Sequence, residues 1–141
     1  MINYNRGYET EREMKKWFKG KDHILNCVDF FTKTSLYEVK SCRMILRCVN
    51  GNNSRKFKTK RHRKILTTQL GRFHIKTENH NLLFETSQKE NKIPKYIFVI
   101  NVGNQKIWKV SNWYEVDKIL NNNIKTNPIQ IKQIFFKELD L

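Results

Sequence analysis

The sequence predicts an α/β domain, a mixed β-sheet covered on at least one side by helices. Three observations carry this. Lys95–Val102 is a continuous apolar run of strand length, the pattern of a buried strand. Val28–Ser41 holds two apolar-rich runs, Cys27–Phe31 and Leu36–Val39, around the polar break Thr32–Ser35, which reads as a β-hairpin. Stretches of helical period alternate with these strands along the chain. At 141 residues the chain is expected to form a single domain, 1–141, with no internal repeat and no low-complexity linker.

In chain order, the first helix is expected over Gly7–Gly20. At about 100° per residue, Met14, Phe18 and Trp17 share one apolar face. Glu11 falls on that face beside Phe18, while Glu9 and Glu13 fall on the opposite side. Glutamate is seldom buried without a partner, so Glu11 either meets one or lies at the stripe's margin and reaches water. His23–Phe31 reads as one strand, or two joined by a bend. The second hairpin strand continues through Tyr37–Val49 to the Asn-Gly turn signal at Asn50-Gly51.

Ile65–Leu70 fits a helix that Gly71 would end, with Arg72–Lys76 alternating like a strand. Thr77 is placed to cap a helix over Glu78–Lys89, whose apolar part is Leu82, Leu83 and Phe84. Lys106–Val110 looks like the hairpin partner of the buried strand across Gly103-Asn104-Gln105. Asn112 with Glu115 three residues on fits a capping box that opens a helix to Leu120. The carboxyl end offers one candidate strand, Gln130–Phe136.

Charge is the strongest global signal: Lys+Arg 28 against Asp+Glu 13 leaves a formal +15. On a small domain this points to a polyanion, most often nucleic acid. AT-rich coding also inflates lysine, so clustering carries more weight than the total. Arg55, Lys56, Lys58, Lys60, Arg61, Arg63 and Lys64 fall within ten residues, in a basic loop at about 51–64. This segment is expected to contact DNA phosphates, with a solvated loop as the alternative. No apolar run reaches membrane-span length, no strongly amphipathic basic helix suggests a membrane surface, and no signal-peptide pattern opens the chain. The odd count of Cys27, Cys42 and Cys48, with no C-x-x-C pair, argues for a reducing, cytoplasmic setting and against a zinc ribbon. The four histidines show no ligand spacing and read as structural or surface residues.

The hairpin is where chemistry concentrates. With a turn centred on Lys33–Thr34, residues whose numbers sum to 67 face each other, which sets Asp29 opposite Glu38. A four-residue loop, Thr32–Ser35, keeps that register, whereas an odd-length loop would turn Asp29 to a diagonal position. Glu38 and Lys40 project from one face of their strand. Directly opposed Cβ atoms lie about 4.5–5.5 Å apart, where like charges repel. Either a hard divalent cation with oxygen ligands sits between the carboxylates, or the hairpin is an edge whose charged face is solvated.

Arg6-Gly7-x-x-x-Glu11-Arg12 on the first helix, then Asp29, then Glu38-Val39-Lys40-Ser41, resemble the PD-(D/E)xK nuclease superfamily, in particular archaeal-type Holliday junction resolvases. The resemblance covers residues 6–41 and extends beyond them only through element order. Val28 stands where the superfamily often has proline, and the Asp29-to-Glu38 gap is short. The resemblance implies a restriction-endonuclease-like mixed β-sheet flanked by helices. It implies Asp29, Glu38 and the Val39 carbonyl as ligands of Mg²⁺, with Mn²⁺ able to substitute and Glu11 helping through water or at a second site. Lys40 would orient or polarise the attacking water and steady charge in the transition state. The expected activity is a metal-dependent endodeoxyribonuclease acting on duplex or branched DNA as a homodimer, with no organic cofactor. A junction resolvase competes with a restriction or repair-type enzyme, and with a non-catalytic basic DNA-binding protein.

Overall fold

The computed structural model describes residues 2–49, 65–122 and 128–135. Helix α1 (Ile2–Phe18) begins ahead of the expected Gly7 and stops where the sequence places its end. Lys19 takes a left-handed φ of 53°. Its N–H donates to the Lys16 carbonyl at 3.2 Å and that of Gly20 to the Lys15 carbonyl at 2.8 Å, the paired bonds of a Schellman stop. Gly20 must be glycine here, since a Cβ would run into the Phe30 ring. Met14 and Phe18 lead the core face, as expected, but Trp17 does not: it is 68 % exposed. The buried stripe is centred on Thr10, Met14 and Phe18 and rolls toward Glu11 and Lys15, leaving Trp17 on its far margin.

The strand expected over His23–Phe31 contracts to β1 (Phe30–Phe31). The preceding residues turn and bend: Cys27 and Val28 are buried while Ile24 lies in solvent, a burial pattern no alternating strand could give. Strand β2 (Ser35–Val49) is the sheet's spine. Its first part pairs antiparallel with β1 and parallel with β5 (Ile93–Val102), Ser35↔Ile93 through Arg43↔Asn101. Beyond Arg43 it outruns β5, and the edge from Met44 to Val49 is completed by β3 (Ile65–Leu70), antiparallel. This overturns the helical reading of Ile65–Leu70, because an unsatisfied strand edge outweighs a weak local preference. Gly71 follows as a close-approach glycine: a Cβ there would lie 2.5 Å from the Arg43 carbonyl oxygen.

Strand β4 (Arg72–Phe73) leaves the sheet and pairs with β7 (Ile129–Gln130). Helix α2 (Thr77–Glu90) supplies the crossover that a parallel β2–β5 pair requires. Its N-cap is Lys76 without a side-chain bond, so Thr77 lies inside the helix rather than capping it. Strand β6 (Gln105–Asn112) pairs with β5 across a tight turn in which Gly103 has φ 59°. Helix α3 (Trp113–Asn122) opens on the expected cap, the Asn112 side chain accepting the Glu115 N–H at 2.9 Å. Where a strand over Gln130–Phe136 was expected, helix α4 (Ile131–Phe135) forms. Gln133 reaches back to accept the Gln130 N–H at 2.9 Å, and Ile131 and Ile134 are buried at helical spacing.

Helices thus cover both faces of the mixed sheet, in the order β1-β2-β5-β6 with β3 on β2. Met14 and Phe18 of α1 pack on Phe30, Tyr37, Ile97 and Val99. The other face buries Leu36, Tyr96, Phe98 and Ile100 against Leu83 of α2, Trp113 and Val116 of α3, and Ile131 and Ile134 of α4. No helix among the described residues is long and apolar enough to cross a membrane.

Candidate functional site

The hairpin register is the one expected from the sequence. Phe30 pairs with Tyr37 and Phe31 with Leu36; the ladder ends there, and Asp29 meets Glu38 through a side-chain hydrogen bond rather than as a strand pair. The turn is closed by the Thr32 N–H on the Ser35 carbonyl at 2.9 Å. Regular pairing stops at Asp29, whose N–H still donates to the Tyr37 carbonyl at 2.8 Å. Its side chain then replaces the missing strand: Oδ2 accepts the Val39 N–H at 2.6 Å. Val39 and Tyr37, two apart on β2, send their backbone polar groups toward the same neighbour. The Val39 carbonyl therefore also points to the Asp29 side.

Glu38 lies on the β2 face that carries Leu36 and the α2–α3 core, and it is only 8 % exposed. Burial raises its pKa most, and the hydrogen bond and charge of Asp29 add to this, taking it to about 10. Lys40, half-buried on the same strand face, opposes that rise without cancelling it. Glu11 arrives from α1. It is half-buried, and burial followed by the charge and hydrogen bonding of Asp29 raises it to about 7, with Lys15 pulling the other way. Asp29 is thus the hinge of a three-carboxylate group, coupled to Glu38 on one side and Glu11 on the other. Glu9 and Glu13 are exposed, and Glu13 pairs with Lys106. Helical phase therefore separates Glu11 from its two neighbours as expected.

Glu11 and Asp29 line an open cleft of about 260 Å³, with Arg12, Lys15 and Asp22 on its walls. Lys15 is held by Asp22 at 2.7 Å. Cys27, buried behind the hairpin, has its thiol pushed up by burial and then by Glu38 and Asp29. The donor set suits a hard cation: carboxylate oxygens, a carbonyl, and a glutamate that burial and Asp29 keep protonated despite Lys40 beside it. Among the described residues, however, no group of three or more His, Cys, Asp or Glu side chains is arranged to hold a metal ion. The ligand set that fits is accordingly Asp29 and Glu38 with the Val39 carbonyl, and Glu11 hydrogen-bonds Asp29 from the α1 side. The basic segment containing Arg55, Lys56, Lys58, Lys60, Arg61, Arg63 and Lys64 lies outside the described residues.

One polar group escaped the sequence reading. His80 is buried, with Nδ1 2.6 Å from the Tyr96 hydroxyl and Nε2 3.0 Å from Asp117. Its ring stacks on Trp113 at 4.2 Å, and the Trp113 indole N–H donates to the His80 carbonyl at 2.7 Å. Tyr96 is the register partner of Glu38, so this group lies beneath the candidate site. The available signal was helical phase: His80, Leu83 and Ser87 share one face of α2, and all three are buried.

No family model matches the sequence, and no curated protein or solved structure matches it.

Proposed function

We propose that the chain is a Mg²⁺-dependent DNA endonuclease with a restriction-endonuclease-like fold, Mn²⁺ serving in place of Mg²⁺, and that it works as a homodimer on branched or otherwise structured DNA. The observation that carries this reading is Glu38, a buried carboxylate hydrogen-bonded to Asp29 with Lys40 two residues on. Evolution tolerates such a destabilising arrangement where chemistry requires it. The element order, with an amino-terminal helix delivering Glu11 and a helical crossover joining parallel β2 and β5, is compatible with that fold.

Asp29, Glu38 and the Val39 carbonyl would hold the ion, and Glu11 would reach it through water. When bound, Mg²⁺ supplies charge withdrawal from a phosphate and acidification of a water. The Val39 N–H fixes one oxygen of Asp29, so the carboxylate is oriented before any ligand arrives. Lys40 provides a positive charge beside Glu38, where negative charge would develop on a phosphate in the transition state. The net charge of +15 supplies the attraction for DNA.

The lack of a three-ligand group among the described residues favours a second reading, a basic DNA-binding protein without catalysis. Nicking of supercoiled plasmid separates the two. The enzyme reading expects cleavage that needs Mg²⁺ or Mn²⁺ and vanishes in Lys40→Ala. Four-way junctions, flaps, linear duplex and single strands offered side by side then give the substrate. Tight DNA binding with no cleavage of any of them in either metal would establish the second reading.

A further inference from the structure

The flank of α1 away from Glu11 carries a surface that neither folding nor the proposed chemistry uses. Trp17 is 68 % exposed and Trp108 of β6 is 41 % exposed. They lie along one seam. Glu13, one turn before Trp17 on the same flank of α1, pairs with Lys106, and Lys106 and Trp108 are two apart on one face of β6. Phe18 anchors the seam from below, its ring 5.5 Å from that of Trp108 and 5.2 Å from that of Tyr37.

Trp17 stands in water, and Trp108 keeps part of its ring there beyond its contact with Phe18, so the seam exposes apolar surface. The rim is cationic. Lys16 and Lys19 lie on either side of Trp17 in the sequence and are exposed, and no ion pair among the described residues engages either of them. At the Phe18 end of the same sheet face, Lys95 holds its ammonium 5.8 Å from the centre of the Tyr37 ring. A ligand matched to this surface carries negative charge at short intervals and offers flat apolar faces between the charges. Unpaired nucleotides have both properties, whereas bases inside a duplex have their faces already stacked. A second copy of the chain is the rival occupant, since β6 is a terminal strand of the sheet. Like charges rim the seam, and Lys106 and Lys109 sit on that edge strand, which opposes strand-to-strand pairing.

We infer that the α1–β6 seam, Trp17 and Trp108 with Lys16, Lys19 and Lys95, binds unpaired nucleotides by stacking bases on the indoles. This deepens the proposed function and rests on it for the choice of DNA: α1 would carry the cleavage site on one flank and a single-strand platform on the other. The substrate class is then DNA with an unpaired arm beside a duplex.

The test measures binding in EDTA, so it is independent of cleavage. A labelled oligothymidylate of about 12 nucleotides is compared with a duplex of the same length. Trp17→Ala and Trp108→Leu should each weaken single-strand binding about tenfold, the scale of one lost base–aromatic stack, and change duplex binding by less than about twofold. Trp17→Phe, which keeps an aromatic face, should retain most of the affinity. Trp17 is so exposed that its variants should melt with wild type, so they decide the matter if Trp108→Leu folds poorly. Equal weakening toward both probes, or no change toward either, overturns the inference. So does a dimer seen by light scattering that Trp17→Ala dissociates, which would give the seam to a second copy. Absence of nuclease activity with selective single-strand binding intact would defeat the enzyme reading alone.

Discussion

Asp29 Oδ2 accepts the Val39 N–H at 2.6 Å, so the carboxylate that finishes the edge of β2 is also the one hydrogen-bonded to Glu38. The backbone bond pins Asp29, and the side-chain hydrogen bond between Asp29 and Glu38 then holds the two acidic groups together. With burial as the larger cause and Asp29 as the second, Glu38 keeps its proton up to about pH 10 in the absence of a cation.

Glu38→Gln should therefore stabilise the metal-free protein while abolishing cleavage. The folded value lies above the ordinary 4.5, so the folded state binds the proton more tightly than the unfolded chain. That contribution is complete below about 4.5 and declines as pH rises toward about 10. Wild type should lose stability between about pH 5 and pH 9, and the glutamine variant should lose less, ending about 1–3 kcal/mol more stable at the alkaline end. Urea melts in EDTA at the two pH values measure this. A variant less stable than wild type at alkaline pH would contradict the assignment.

Glu11→Gln should reduce cleavage by an order of magnitude or more, while Glu9→Gln and Glu13→Gln leave it unchanged. Only Glu11 is turned toward Asp29, and Glu13 is engaged with Lys106 on the opposite flank. Losing that exposed pair should cost at most about 1 kcal/mol. Plasmid nicking rates for the three variants decide it, and three equal losses would mean that helical phase does not set the site.

What the sequence disclosed and what it hid divide by the range of the interactions. The hairpin register at Phe30–Tyr37 and Phe31–Leu36, Glu11 apart from Glu9 and Glu13, and the Asn112 cap all follow from short-range periodicity, and all are present. Ile65–Leu70 was misjudged because its partner, Met44–Val49, is remote in sequence, and only that pairing makes it a strand. Trp17 lies off the face assigned to it because three apolar residues define a stripe but not its centre, which the half-burial of Glu11 and Lys15 shifts away from Trp17. In the Gln130–Phe136 segment, the Gln133 side chain accepting the Gln130 N–H and the burial of Ile131 and Ile134 three apart go with a helix rather than a strand. His80 is structural, as the sequence reading has it, but its partners come from β5 and α3, remote in sequence, so the group it forms is not legible there.

His80→Ala should destabilise the fold by about 2–4 kcal/mol, leaving the Tyr96 hydroxyl unpaired in the core and a gap beside Trp113. Burial is the main cause that lowers the His80 pKa below 6.5, with Asp117 opposing it. The sign is thus opposite to that of Glu38: stability from His80 is complete above about 6.5 and is lost as pH falls through the lower folded value. Chemical melts between about pH 7 and pH 5 should show wild type losing more stability than His80→Asn. Parallel losses would show that His80 does not titrate differently in the folded state.

Binding of Mg²⁺ should release protons, because the carboxylates that would hold or approach it are raised to about 10 for Glu38 and about 7 for Glu11. At about pH 8, Glu11 is largely ionised and Glu38 is not, so about one proton should leave per ion. At about pH 6 both are protonated, and release should rise toward about two if Glu11 also deprotonates on binding. Apparent affinity must then increase with pH, by at least about a hundredfold over that interval, since each proton released adds about one log unit per pH unit. Calorimetry in two buffers of different ionisation enthalpy counts the protons directly and needs no catalytic turnover. Glu38→Gln should bind weakly and release almost none at about pH 8, because the group that gives up the proton is gone. Glu9→Gln should behave as wild type. Tight Mg²⁺ binding without proton release would place the ion away from Glu38, and no binding at millimolar Mg²⁺ would leave Asp29 and Glu38 as a proton-sharing pair rather than a metal site.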